Sequence, residues 1–271
     1  MAVVEVEGFQ SPWRLAGEFA ARVFYYVVDM SVFVPLFIVY FLLRGLPPDR
    51  VGQATDNATQ IIEIEETLGV FHEASWQDAI LHNPTLVDIA NFTYLNLHMH
   101  VLVAMGFLFF LVDSRKHRVI RNTILLSAFL AVPVYMIFPV TPPRLLASAG
   151  YAHFGFIDTI PSEVRTGKPG AMANWYAAVP SYHFGWIALA ALGVWWCWKS
   201  WILRAGAVVF TAFMWWAIVV TGNHYFFDMV AGAAVVGMCF VIVRAFEQWA
   251  ELNPTAMRRF TVRVGPLRLP F

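Results

Sequence analysis

Residues 224–246 read HYFFDMVAGAAVVGMCFVIVRAF. The stretch opens on two polar groups four apart, His224 and Asp228, and continues as an apolar run. About 20 such residues, coiled as a helix, cross ~30 Å of hydrocarbon. In lipid the backbone must bond to itself, so the run reads as a transmembrane helix. Working outward, the same pattern of a polar motif at the end of an apolar run recurs. Pro139-Val-Thr-Pro-Pro-Arg144 closes one run, and Pro180-Ser-Tyr-His183 opens another. Six helices are placed at 23–43, 86–112, 122–138, 179–198, 202–221 and 225–246. The expected fold is all-α, a polytopic membrane bundle of six transmembrane helices. A cytoplasmic segment (1–22) precedes the six-span domain (23–246), and a basic cytoplasmic tail (247–271) follows it.

Composition supports this class. Of 271 residues, 59% are hydrophobic and only 13% charged. The mean hydropathy is +0.61. Eleven Trp and nine Tyr suit two interfacial belts. A formal net charge of zero offers no electrostatic footprint for nucleic acid. Cys197 and Cys239 fall inside spans and read as small apolar residues, not as a disulfide or metal site. The first twenty residues carry Glu5, Glu7 and Glu18 and lack an apolar core, so no cleavable signal is expected and the first span is the anchor.

With the N-terminus inside, 13 of the 18 Lys and Arg fall on cytoplasmic segments. The other five are Arg44, Arg50, Arg144, Arg165 and Lys168. The bias puts both termini in the cytoplasm and the motifs outside. An even number of crossings separates the motifs, so they share one side whichever way the chain is threaded. The outer loop 45–85 is expected to be partly helical. Ile61 to Leu68, ending at Gly69, reads as a short amphipathic helix lying on the bundle or the membrane surface.

The motif residues suit phosphate chemistry. His224 and Asp228 share a helix face. The carboxylate can hold one ring nitrogen and free the other to attack. Ser181 can cap the fourth span, whose N-terminus is an anion site. One turn on, His183 can protonate a leaving oxygen. Pro142-Pro143-Arg144 is a stiff turn presenting a guanidinium, which matches phosphate oxygens bidentately. Tyr182 is grouped with this phosphate-binding set. Taken singly, each motif also reads blandly, as a buried polar pair, a helix cap or a snorkelling arginine. Asn91 and His98 share a face in the second span; for His98 a structural hydrogen bond is weighed against support of the pocket. A metal reading would use His183, His224 and Asp228 as a facial set. It leaves Arg144 unexplained, beside a cation that would repel it.

At these residues the chain resembles the type-2 phosphatidic acid phosphatase superfamily, and within it the branch of inositol phosphorylceramide synthases and bacterial inositolphosphotransferases. The resemblance covers roughly 55–245. It rests on Glu66-Thr-Leu-Gly-Val-Phe-His-Glu73, Phe138-Pro-Val-Thr-Pro-Pro-Arg-Leu145, Ala178-Val-Pro-Ser-Tyr-His-Phe-Gly-Trp186 and Thr221-Gly-Asn-His-Tyr-Phe-Phe-Asp-Met-Val-Ala-Gly232. It implies that His224 is the nucleophile that forms a phosphohistidine and Asp228 its orienting partner. It makes His183 the general acid, and Ser181 and Arg144 phosphate ligands. Asn223, beside the nucleophile, joins His98 in a supporting role. The chain departs from the superfamily at Ile137 and Ile218, where a lysine and an arginine are usual, and at Leu145, where a proline is usual. Lys168 and Arg165 are the candidates to replace the two cations.

The expected activity is therefore metal-independent phosphotransfer on a lipid phosphate or phosphodiester in the bilayer, without a cofactor. A polar acceptor alcohol or water enters from the outer side. A phosphate monoester carries about −1.5 to −2 charge and a diester only one, so a cation-poor pocket favours head-group transfer. The alternatives are a lipid or isoprenyl phosphate phosphatase, and a transporter relaying protons through His98, His224 and Asp228. Such transporters often show inverted repeats and broken mid-span helices, and neither is visible in this sequence.

Overall fold

The computed structural model describes residues 12–48, 50–161, 174–253, 261–264 and 267–270. Among the described residues nine α-helices follow in order: α1 (Pro12–Arg44), α2 (Val51–Thr67), α3 (Glu73–Leu81), α4 (Pro84–Phe92), α5 (His98–Val112), α6 (Ser114–Ile137), α7 (Tyr182–Cys197), α8 (Trp201–Val220) and α9 (Phe226–Leu252). A π-helical turn at Thr93–Leu97 joins α4 to α5. The bundle is all-α. After it, within the segment expected to be a basic tail, Thr261–Val264 pairs antiparallel with Leu267–Pro270.

Among the described residues five helical stretches are long and apolar enough to cross a membrane: Phe19–Arg44, Pro84–Val112, Ser114–Ile137, Trp201–Val220 and Phe226–Leu252. The sixth expected span, α7, has 16 residues. At 1.5 Å per residue that is about 24 Å, short of the usual span. It is the central helix, in contact with α5, α6, α8 and α9. Around it Trp186, Leu189 and Val194 pack with Tyr40, Phe109, Ile120 and Tyr135.

Local signals explain the boundaries. The third span begins at Ser114, eight residues before its expected start, because the Asp113 side chain accepts the Arg115 and Lys116 N–H groups at 3.1 and 3.2 Å. Pro133 is absorbed within that helix. Asn83 caps α4, with Pro84 at the first helical position.

The 45–85 loop is more ordered than its sequence suggested. The expected 61–68 helix does stop at Gly69, whose φ of +68° only glycine adopts freely. It starts ten residues earlier, however, and α3 follows it. Ala58, Ile61 and Ile62 of α2 pack on Val140, Leu146, Ala178, Val179 and Tyr225. Thr55 and Thr141 hydroxyls meet at 3.1 Å, and Asn57 donates to the Pro139 carbonyl at 2.8 Å. From α3, Gln77 donates to the Val220 carbonyl at 3.1 Å. The loop thus covers the bundle end where the motifs lie. At the opposite end, Asp29 pairs with Arg121 and His117, and Arg118 with Glu247.

Candidate active site

Three chain segments meet at one end of the bundle. The Arg144 N–H donates to the Gly222 carbonyl at 2.7 Å, which ties the turn after α6 to the turn before α9. Gly222 turns with φ +65°, where a Cβ would lie 3.1 Å from the Arg144 Cβ. The Ser181 N–H donates to the Asp228 carbonyl at 3.0 Å, which joins the start of α7 to the first turn of α9. The same two helices touch at Gly232, where a Cβ would stand 2.2 Å from the Ser181 carbonyl oxygen. Ser181 is fully buried and caps α7, with its hydroxyl 3.5 Å from the Phe184 nitrogen.

These contacts set the imidazoles. His224 Nδ1 lies 3.1 Å from Asp228 Oδ2. The same oxygen accepts the Tyr225 N–H at 2.9 Å, so the carboxylate both orients the ring and caps the helix. His224 Nε2 lies 3.3 Å from His183 Nδ1. His224 is 4% exposed, whereas His183 is less covered and packs between two tilted rings, those of Tyr94 and His98. Tyr94 lies 4.5 Å and His98 4.4 Å from it, centroid to centroid. His98 is therefore a neighbour of the pair; its Nδ1 is buried without a partner among the described residues.

Arg144 stands in the same corner. Its Nε donates to Asn223 Oδ1 at 2.9 Å, and a terminal nitrogen lies 3.2 Å from Asp158. Asn223 in turn donates to the Thr221 hydroxyl at 2.9 Å, which fixes its amide. The guanidinium lies 5.5 Å from the Trp175 ring centre. Lys168 and Arg165 lie outside the described residues. Ile137 is 73% exposed and Ile218 fully buried, so neither position presents a polar group to the site. Tyr182 is a correction to the phosphate-binding set. Its hydroxyl donates to the Ser127 carbonyl and its ring stacks on Trp186 at 4.7 Å. Adjacent helical residues point about 100° apart, so while His183 meets His224, Tyr182 goes into the core.

Sequence reasoning overlooked two carboxyls that complete the cap of α9. Glu73 Oε1 accepts the Phe226 N–H at 2.8 Å, and Glu65 Oε1 accepts the Phe227 N–H at 2.6 Å. Glu65 is 2% exposed and Glu73 0%. Burial, then the hydrogen bond and charge of Glu73 and the charge of Asp228, push Glu65 up from about 4.5 to about 9. The other Glu65 oxygen has no donor among the described residues, which fits an O–H directed at Glu73. Unfolded, this proton leaves near pH 4.5; folded, it stays until about 9. Its contribution to stability is therefore full below 4.5 and is lost as pH rises to about 9. Glu65→Gln keeps a neutral hydrogen-bonding group and removes the titration. Between pH 5 and 9 the native chain's melting temperature should fall more than that of E65Q; parallel curves would disprove the proton on Glu65.

A family model described as the PAP2 superfamily matches residues 59–242, more than half of the chain. No curated protein and no solved structure matches.

Proposed function

The chain belongs to the PAP2 superfamily of phosphatases and phosphotransferases, and from that premise we propose that it transfers a phosphate-linked head group from a lipid phosphodiester through a phosphohistidine on His224. The observation that carries the reading is the His224 ring itself. Asp228 holds Nδ1 at 3.1 Å, and Nε2 is aimed at a second imidazole. A nucleophile, its orienting carboxylate and an acid–base group in line are what a two-step displacement needs.

In the first step His224 Nε2 bonds to phosphorus and the bond to the departing alcohol breaks. His183 donates its proton to that oxygen. Arg144 and the α7 N-terminus, capped by Ser181, stabilise the charge on the non-bridging oxygens. Asn223 holds Arg144 in place. In the second step His183 takes the proton of an acceptor hydroxyl, whose oxygen displaces His224. At 3.3 Å the two imidazole nitrogens are too close to hold a phosphoryl group between them. Substrate must part them, and the more open His183 is the ring that swings. The basic bias of the sequence supports a site on the extracytoplasmic side of the cell membrane, with both termini in the cytoplasm.

Transfer is preferred to hydrolysis because a diester's single charge needs fewer cations than a monoester. Purified chain offered a panel of lipid diesters and monoesters in oxygen-18 water tests this. The expected product is a new unlabelled diester. Brisk release of labelled phosphate from monoesters, with no diester turnover, would make it a phosphatase.

A further inference from the structure

Asp158 faces Arg144 at the candidate site, its Oδ2 3.2 Å from a terminal guanidinium nitrogen. Arg144 in turn is tied by its Nε to Asn223, the residue before His224. Asp158 lies outside every motif of the sequence. A carboxylate on a phosphate cation is unexpected, because it competes with phosphate for the same N–H groups.

The pair is not a chance contact of a loose loop. Gln77 of α3 brackets Ile157: its amide oxygen accepts the Ile157 N–H at 2.8 Å, and its amide nitrogen donates to the Ile157 carbonyl at 3.0 Å. Asn91 of α4 brackets Thr159 in the same way, donating to its carbonyl at 2.7 Å and accepting its hydroxyl at 3.1 Å. Both amide side chains are buried. The other carboxylate oxygen of Asp158 accepts the Ile160 N–H at 3.1 Å. Two helices thus clamp the residues on either side of Asp158, and its own turn holds the carboxylate. An exposed ion pair must order two free side chains and contributes little. Here the Arg144 and Asp158 side chains are only 13% and 15% exposed, and the clamps have ordered the acid in advance.

We propose that Asp158 is a specificity-determining residue, a fixed negative charge that admits a singly charged phosphodiester to Arg144 and turns away a doubly charged monoester. The assignment rests on the phosphotransfer reading above and deepens it. Among the described residues Asn223 and Asp158 engage Nε and one terminal nitrogen of Arg144, which leaves the other for a non-bridging oxygen. Near neutrality a monoester carries up to about one unit of charge more than a diester. At ~6 Å and an effective dielectric of ~20, that excess beside a carboxylate weakens binding roughly tenfold to 100-fold.

The test compares butyl phosphate with butyl sulfate as competitors of lipid diester turnover by the full-length chain in detergent. Both present three terminal oxygens on a tetrahedral centre, but at about pH 8 the phosphate carries two charges and the sulfate one. Butyl sulfate should inhibit the native chain at least as well as butyl phosphate. Asp158→Asn keeps the shape and removes the charge. It should tighten butyl phosphate about tenfold or more relative to butyl sulfate, and raise monoester over diester turnover by a similar factor. Asp158→Glu should hold the native order. The native chain decides alone if the variants do not fold: butyl phosphate inhibiting about tenfold better than the sulfate, or no inhibition by the sulfate, overturns the filter. So does an unchanged inhibitor ratio in D158N, or an equal loss on every substrate, the mark of a residue that only holds its loop. Each of these results leaves diester transfer standing. Absence of diester turnover by the native chain overturns both readings.

Discussion

The His224→Ala chain should turn over lipid substrate at least ~10⁴-fold more slowly than the native chain, the scale of loss when a nucleophile is removed from a group that acts as a unit. It should still extract as a folded protein. Asp228 keeps the Tyr225 N–H on the same oxygen that held the ring, and Ser181 stays bonded to the Asp228 carbonyl. His183→Ala is expected to fail differently. Its imidazole hands a proton to the departing alcohol, so an activated leaving group that departs without one should restore much of the first step. The same activated substrate should do nothing for His224→Ala. Native-level turnover by either variant, or rescue of both, would remove these residues from their roles.

The second large effect is structural. Gly232→Ala places a methyl 2.2 Å from the Ser181 carbonyl oxygen and 3.0 Å from its carbonyl carbon. The obstacle is backbone, with no flexible end to turn aside, so α7 and α9 must separate. Gly185 faces the same crossing, where a Cβ would lie 2.9 Å from the Gly232 carbonyl oxygen. Small residues at such crossings let membrane helices approach until dispersion and polar contacts form. The cost should exceed the ~1–3 kcal/mol of ordinary overpacking. The separation also breaks the Ser181–Asp228 bond, so the imidazoles lose their register and activity falls with stability. Gly237→Ala on the same helix is the control. Nothing lies within 4 Å of its would-be Cβ, and alanine favours helix there by up to ~1 kcal/mol. If G232A extracts and melts like G237A, the close crossing is not what fixes the site.

The spans were legible because hydrocarbon leaves a backbone few choices. Ends marked by caps, such as Asn83-Pro84 before α4, carry their own sequence signal. The grouping of Arg144, His183, His224 and Asp228 at one end followed from parity of crossings, and the structure brings these four together. What escaped notice was burial in the 45–85 loop. Glu63, Glu65 and Glu66 look alike in sequence, yet only Glu65 turns under α9, because the identity of its partner is a tertiary fact. The π-helical turn at 93–97, next to the Tyr94 and His98 rings on His183, has no recognised sequence mark. Tyr182 was misplaced for the opposite reason. Its neighbours have polar work, and adjacency in a motif was read as a shared direction, which a helix does not provide.

The carboxyl clamp on α9 has a practical consequence for anyone recombining such enzymes. The first free amides of the helix that carries Asp228 are satisfied by side chains from a segment some 150 positions upstream, Phe226 by Glu73 and Phe227 by Glu65. A chimera that exchanges the last helix alone would therefore leave two buried acids facing a foreign terminus. Residues 51–81 and 221–252 form one inheritable cassette, and crossovers that split them should yield inactive hybrids even where every transmembrane segment is intact.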